Sequence, residues 1–209
     1  MTSLRKAALA TIALLATTPV FGQARPETRY TRFDLAAPSC KPAQQAEAFS
    51  CQGMAGWSIA VGYPAFGATL AFVSKDKPAR VHQPADDRSV AIDGLAGPST
   101  TVEWRGVVRN GTFQPYAAIV RILAVDAATR QAMIEAGAPP PSLKRAQVLL
   151  VTRLAAEGSC VVAYVDAQAN PNANDLARTA ADAAALTPCP VPHAAIVGAR
   201  TNVLASYLD

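Results

Sequence analysis

Histidine is almost missing from this chain. His82 and His193 are the only two in 209 residues, and both stand in proline-flanked irregular stretches. A catalytic base or a zinc ligand set built on imidazole has little to draw on. The sequence has no G-x-S-x-G elbow, and Ser58, Ser159 and Ser206 sit in no comparable turn, so a serine triad lacks an anchor. It has no glycine-rich phosphate cradle of the P-loop or Rossmann kind. It has no C-x-x-C pair, which removes the common structural zinc spacings. Aromatic residues make up only 6%, and no basic run is interleaved with them, which argues against nucleic-acid binding. After the first two dozen residues no apolar run approaches the length of a membrane span. No cofactor or metal residue is assigned.

What is there begins with a secretory pattern. Arg5 and Lys6 precede a short apolar stretch, Ala7 to Ala16, and Gly22-Gln23-Ala24 supplies small residues for cleavage. Residues 1–24 are therefore expected to be a signal peptide, with 25–209 as a single periplasmic or secreted domain and no membrane span once the signal is removed. No Leu-x-x-Cys lies near the cleavage point, because the first cysteine is Cys40. The formal charge of +4 falls to +2 when Arg5 and Lys6 leave. The four cysteines Cys40, Cys51, Cys160 and Cys189 fit two disulfides in an oxidising compartment. Three connectivities exist. Proximity in sequence favours Cys40–Cys51 and Cys160–Cys189, the second closing a loop that stabilises by roughly 3–4 kcal/mol in the chain-entropy view.

The segment 25–52, carrying Pro26, Pro38 and Pro42, reads as an irregular leading stretch pinned by Cys40–Cys51. Alternation around Trp57, Ile59 and Val61, and again through Phe66, Ala68, Leu70 and Phe72, predicts two strands about a turn at Gly62-Tyr63-Pro64. Lys75 to Pro98 reads as a long exposed loop with a short strand at Val90 to Ile92. Asn110-Gly111 marks a type I′ hairpin turn, because both positions tolerate positive φ. Folding about it pairs Val108 with Phe113, Gly106 with Pro115, Trp104 with Ala117 and Val102 with Ile119, all on one face. Asp126 caps a short helix ending at Gly137, and Pro139 to Pro141 forbid its continuation. Ala146 to Leu154 is an apolar strand, which Glu157-Gly158 turns into the next. The tail 191–209 is mixed.

The organising stretch is Gly158 to Pro190. Cys160 to Asp166 predicts a buried strand. Asn170 then offers an N-cap and Pro171 a first helical position. Ala173, Leu176, Ala177, Ala180, Ala181 and Ala184 mark one helical face, so small that the helix can lie close on a sheet. The resulting fold class is α+β: an antiparallel sheet of about six strands in a meander, with a sandwich or half-barrel as variants, and a C-terminal helix packed on it.

Four pieces, TVEWR (Thr101–Arg105), AAIVR (Ala117–Arg121), QVLLVTRL (Gln147–Leu154) and CVVAYVDAQANPNANDLAR (Cys160–Arg178), together resemble an uncharacterised group of small secreted bacterial proteins. The last stretch is the most specific. Residues 127–145 read as an insertion relative to that pattern. The resemblance implies architecture and compartment, and carries over no activity and no functional residue.

Two constellations bear on chemistry. Asn170-x-Asn172-x-Asn174 spaces oxygen ligands like a calcium loop, but Asp175 replaces the required glycine and Ala181 the bidentate glutamate, so caps and turns explain them more simply. Arg105, Arg121 and Arg153 each interrupt an apolar strand. A buried guanidinium needs a partner, so they form either an anion or partner site or strand-end ion pairs with Glu103 and Asp166. The function expected is a non-enzymatic periplasmic or secreted binding or envelope-interaction protein, taking an unknown small molecule or an envelope protein. The alternatives are a hydrolase with a dispersed site around His82 or His193, or an inhibitor of a secreted enzyme presenting the 75–98 loop.

Overall fold

The computed structural model describes residues 25–42, 48–62, 68–75, 89–92, 94–95, 99–139, 143, 145–155 and 158–205. Residues 1–24, where a signal peptide is expected, His82, Ser206, the expected turn at 63–64 and most of the expected 75–98 loop lie outside these residues. Among the described residues the elements are β1 (Glu27–Asp34), β2 (Cys40–Pro42), β3 (Ala48–Gln52), β4 (Trp57–Gly62), β5 (Ala68–Ser74), β6 (Ser89–Ile92), β7 (Gly94–Leu95), β8 (Ser99–Arg109), β9 (Thr112–Ala124), α1 (Ala127–Ala136), β10 (Ala146–Arg153), β11 (Cys160–Asp166), α2 (Ala173–Ala184), β12 (Ala195–Ile196) and α3 (Asn202–Ala205). None of the helices is long and apolar enough to cross a membrane.

The α+β class holds, with α2 packed on an antiparallel sheet. The strands divide between two sheets, the sandwich variant of the expected arrangement, and the larger sheet has six strands in its main order. One sheet runs β1-β8-β9-β10-β11-β12, with β7 also beside β9, and the other runs β2-β3-β4-β5-β6. All ladders are antiparallel except β11–β12. The result is three layers. The large sheet meets the small one through Val102, Trp104, Val120, Ile122, Val148 and Leu150 on one side and Ile59, Val61, Leu70 and Phe72 on the other. Its opposite face meets α2 through Ala117, Ile119, Leu149, Val151, Ala163 and Val165, against Ala173, Ala177 and Ala181. A sheet with helix on one face and sheet on the other must be apolar on both, and β10 and β11 are.

The leading segment is not irregular. Glu27–Asp34 pairs with β8 over its whole length, from Glu27↔Gly106 to Asp34↔Ser99. It is an end strand, and of its eight residues only Phe33 is buried. An edge strand of this kind needs little apolar alternation, and charge along it suppresses edge-to-edge pairing. β2 and β3 then bring Cys40 directly opposite Cys51, and the disulfide joins them. The second disulfide is Cys160–Cys189, so both expected pairs form.

The β8–β9 hairpin turns at Asn110 and Gly111, with φ of 51° and 74°. The expected register holds for Val108↔Phe113 and Gly106↔Pro115, then slips by one. Arg105 pairs with Ala117, Trp104 with Ala118 and Val102 with Val120, leaving Tyr116 without a partner on β8. This is a β-bulge. It follows Pro115, which has no N–H to give to a ladder, and the carbonyl of Tyr116 instead accepts from the Leu154 amide at 2.8 Å. The consequence is a change of face. Ala117 and Ile119 turn to α2, while Ala118 and Val120 join Trp104 in the sandwich. Gly106 is needed beside the bulge, since a Cβ there would lie 2.6 Å from the ring of Phe113.

The α1 caps are as expected: Asp126 accepts from the Thr129 amide at 2.8 Å, and Gly137 closes the helix at φ 69°. α2 begins later than expected, with Asn172 rather than Asn170 at its N-cap. Asn170 is buried and engaged elsewhere, as described below. The tail 191–209 carries β12 and α3, and Leu204 of α3 is fully buried in the sandwich cluster.

Candidate functional site

The chemistry-bearing side chains of the large sheet gather on the face that carries α2. Cross-strand partners share a face, so Glu103 and Arg105 of β8, and Tyr116 of the bulge, look towards the polar flank of the helix. Asp182 of α2 is the centre of the first group. Its Oδ1 accepts from Arg105 Nε at 2.9 Å and from the Tyr116 hydroxyl at 2.6 Å, and its Oδ2 accepts from Arg105 Nη2 at 2.6 Å. The fork is bidentate, the strong form of this pair. Arg105 also donates to Thr28 of β1. Its side chain is 11% exposed and that of Asp182 34%.

The second group lies one helical turn back. Arg178 Nε donates to Glu103 Oε1 at 2.7 Å and its Nη2 to Oε2 at 3.2 Å. Nη1 reaches Asp175 at 3.2 Å, and Nη2 the hydroxyl of exposed Tyr30 at 3.3 Å. A third, more exposed contact holds the start of the helix: Arg121 donates to Gln147 at 3.0 Å and to Asn174 at 3.2 Å. Three polar contacts therefore run along α2 and fasten it to β1, β8, β9 and β10.

The protonation states are driven apart. The bond to Asp182 raises the pKa of Arg105, against the opposing effect of burial. Burial, then the bond to Asp182, raises that of Tyr116. Burial works against the Asp182 carboxylate, but hydrogen bonds from Arg105 and Tyr116 outweigh it and hold its pKa below the ordinary value. The bond to Glu103 raises that of Arg178. A general acid or base at neutral pH needs a pKa moved towards 7, and each of these is moved away from it.

Of the three arginines singled out in the sequence, Arg105 and Arg153 lie in one cross-strand row on either side of Ala117. Arg121 lies four residues further along β9, near the opposite end of α2. The three do not converge. Arg105 pairs with Asp182 rather than Glu103, and Glu103 pairs with Arg178. Asp166 accepts four bonds from backbone amides and a hydroxyl of its own loop and the C-terminal segment. Its Oδ1 takes the amides of Gln168 and Ala169, and its Oδ2 the amide and hydroxyl of Thr201. Beside it, the Asn170 amide donates to the carbonyls of Asp166 and Ala199 and accepts from the Ala199 amide at 2.9 Å. These bonds fix the loop after β11 to the C-terminal segment, so Asp166 and Asn170 serve as turn and tether, while Asn174 and Asp175 of the calcium-like spacing contact Arg121 and Arg178. No group of three or more potential metal ligands occurs among the described residues. Ser159 is buried with no hydrogen-bond partner on Oγ, and His193 is exposed, so these two do not form a nucleophile–base pair.

The seam makes a direct prediction. Asp182→Ala strands the mostly buried Arg105 guanidinium and frees the Tyr116 hydroxyl. Because Asp182 is about one-third exposed, the expected loss is about 2–3 kcal/mol, below the usual cost of breaking a fully buried pair, measured by urea denaturation. The folded pKa of Asp182 is lowered, so its contribution is present above the unfolded carboxylate value and lost as pH falls through the folded one. The difference between wild type and variant should thus be constant near neutrality and shrink in acid, below about pH 4. Comparison with known proteins finds no matching family model, no matching curated protein and no matching solved structure.

Proposed function

We propose that the chain is a periplasmic or secreted protein that acts by binding, to a small molecule or an envelope protein, and not by catalysis. Its likeness to small secreted bacterial proteins belongs to the same proposal. The observation that carries the non-catalytic part is the direction of the shifts on the α2 face. Asp182 is held ionised, Tyr116 protonated and Arg105 charged, joined by hydrogen bonds through the Asp182 carboxylate. Such a cluster holds a helix on a sheet and has no proton to exchange near pH 7. The two disulfides support the compartment, being compatible with an oxidising environment.

The test is a thermal-shift screen of the oxidised protein against sugars, peptides, anions and divalent cations, with cross-linking in intact cells beside it. A ligand present at 100 times its Kd adds about 2.7 kcal/mol, which raises Tm by several degrees in a domain of this size. A saturable shift, or a specific envelope cross-link, is the expected result. Turnover of ester, phosphoester, glycoside or peptide substrates by the purified protein would overturn the reading.

A further inference from the structure

The two disulfides differ in what surrounds them. Cys40 and Cys51 are both buried, at 6% and 1% exposure, within the cluster that joins the two sheets. Reaching their sulfurs requires the sandwich to open. Cys160 is similarly buried, at 6%, but Cys189 is only partly buried, between exposed Pro188 and Pro190. It lies in the segment 185–194, which also carries Leu186, 92% exposed.

The elements on either side of that segment are held without the help of the sulfur bond. Before it, α2 is fastened by Ala177 and Ala181 and by the Asp182–Arg105 and Arg178–Glu103 pairs. After it, Ala195 and Ile196 pair with Ala163 and Tyr164 of β11, the Val197 amide bonds the Tyr164 carbonyl at 3.0 Å, and Asn170 and Asp166 hold Ala199 and Thr201. At the other end of the bond, Cys160 begins β11, whose ladder with β10 does not depend on it. Breaking Cys160–Cys189 thus frees one loop and leaves three layers in place, a local opening rather than a global one.

We propose that Cys189 is a thiol–disulfide exchange site and that its co-reactant is a dithiol. The thiolate of the dithiol attacks Sγ of Cys189, the less buried of the two cysteines. A mixed disulfide forms there as the Cys160–Cys189 bond breaks, and the electron pair leaves on Sγ of Cys160, which takes up a proton. The second thiol of the reductant then displaces Cys189. The reductant ends as a disulfide and the protein as two thiols, a two-electron exchange. Access decides which sulfur is attacked and which disulfide reacts. The site does not depend on the binding function proposed above.

The experiment is graded reduction of the folded, oxidised protein with dithiothreitol, followed by iodoacetamide and peptide mapping. Cys160 and Cys189 are expected to label while Cys40–Cys51 stays intact and the far- and near-ultraviolet circular dichroism is retained. In a parallel reaction with glutathione, the adduct on the wild-type protein is expected on Cys189, exceeding that on Cys160 by about tenfold or more, as its greater access dictates. The proposal is overturned if Cys40–Cys51 opens first, if all four cysteines label together as the fold is lost, if neither pair reacts before unfolding, or if the glutathione adduct falls equally on Cys160.

Discussion

Replacing Trp104 by alanine is expected to cost about 3–5 kcal/mol, the range for truncating a fully buried aromatic, and to lower Tm by about 6–20 °C. The indole is completely buried and reaches three parts of the fold at once. Its ring stands edge-on to Phe72 of the small sheet, at 5.5 Å and 81°. Its Nε1 donates to Thr31 Oγ1 of β1 at 2.8 Å. Its far edge lies against Gly53 in the β3–β4 turn, where an added Cβ would come within 3.0 Å. Alanine removes the layer contact, empties a volume that the closed backbone at Gly53 cannot fill, and deprives Thr31 of its donor. Trp104→Phe separates these contributions, because it retains most of the volume but not the N–H. Its cost should be smaller, about 1–2 kcal/mol, because the Thr31 hydroxyl that loses its donor is only partly buried. A double-mutant cycle with Phe72→Leu should return a coupling of about 1 kcal/mol. If Trp104→Ala unfolds with the wild-type midpoint, the two sheets do not share this contact as their core.

The parts of this fold that could be read in the sequence are those governed by neighbours. Asn110-Gly111 fixes its own turn, Asp126 and Gly137 bound α1, and the alanine face of α2 selects the side that packs. Cys160–Asp166 matched its strand residue for residue. What stayed hidden depends on distant partners. β1 buries one side chain of eight, so it has no alternation to detect, and it exists because β8, about seventy residues away, offers an edge. The bulge at Tyr116 breaks a register that looked self-consistent, since two faces that are both apolar give no penalty for assigning Ala117 and Ile119 to the wrong one. The site follows the same rule. That Arg105 needed an acid was legible from its place in an apolar strand. That the acid is Asp182, 77 residues on, was not, because Glu103 stood nearer in sequence. Asn170 had the sequence of an N-cap but sits two residues too early, and is held instead by the backbone of Ala199, 29 residues away.

That tether leads to the second large expected effect. Asp166→Ala should cost about 3 kcal/mol, because it removes a buried charged acceptor that four part-buried donors share. The residue is fully buried at the end of β11, and the amides of Gln168, Ala169 and Thr201 and the Thr201 hydroxyl all point to its carboxylate. Burial alone would raise its pKa, yet the bonds from Thr201, Ala169 and Gln168 outweigh it and hold the value below that of a free carboxyl. The contribution is therefore present above the unfolded carboxyl pKa and is lost as acid protonates the folded group. Near neutrality the variant should trail the wild type by a constant margin, and the margin should close in acid. The loss should also be local in its first expression. Thr201 leads into α3, whose Leu204 is fully buried against the sandwich, so hydrogen exchange in Asp166→Ala should rise at 199–204 before it rises in β9 or β10. Asp166→Asn keeps the shape and one acceptor oxygen but brings an NH2 group to face donors, and should recover less than half of the loss. Uniform acceleration of exchange along the whole chain would mean that Asp166 supports the core directly, and not through the C-terminal segment it ties down.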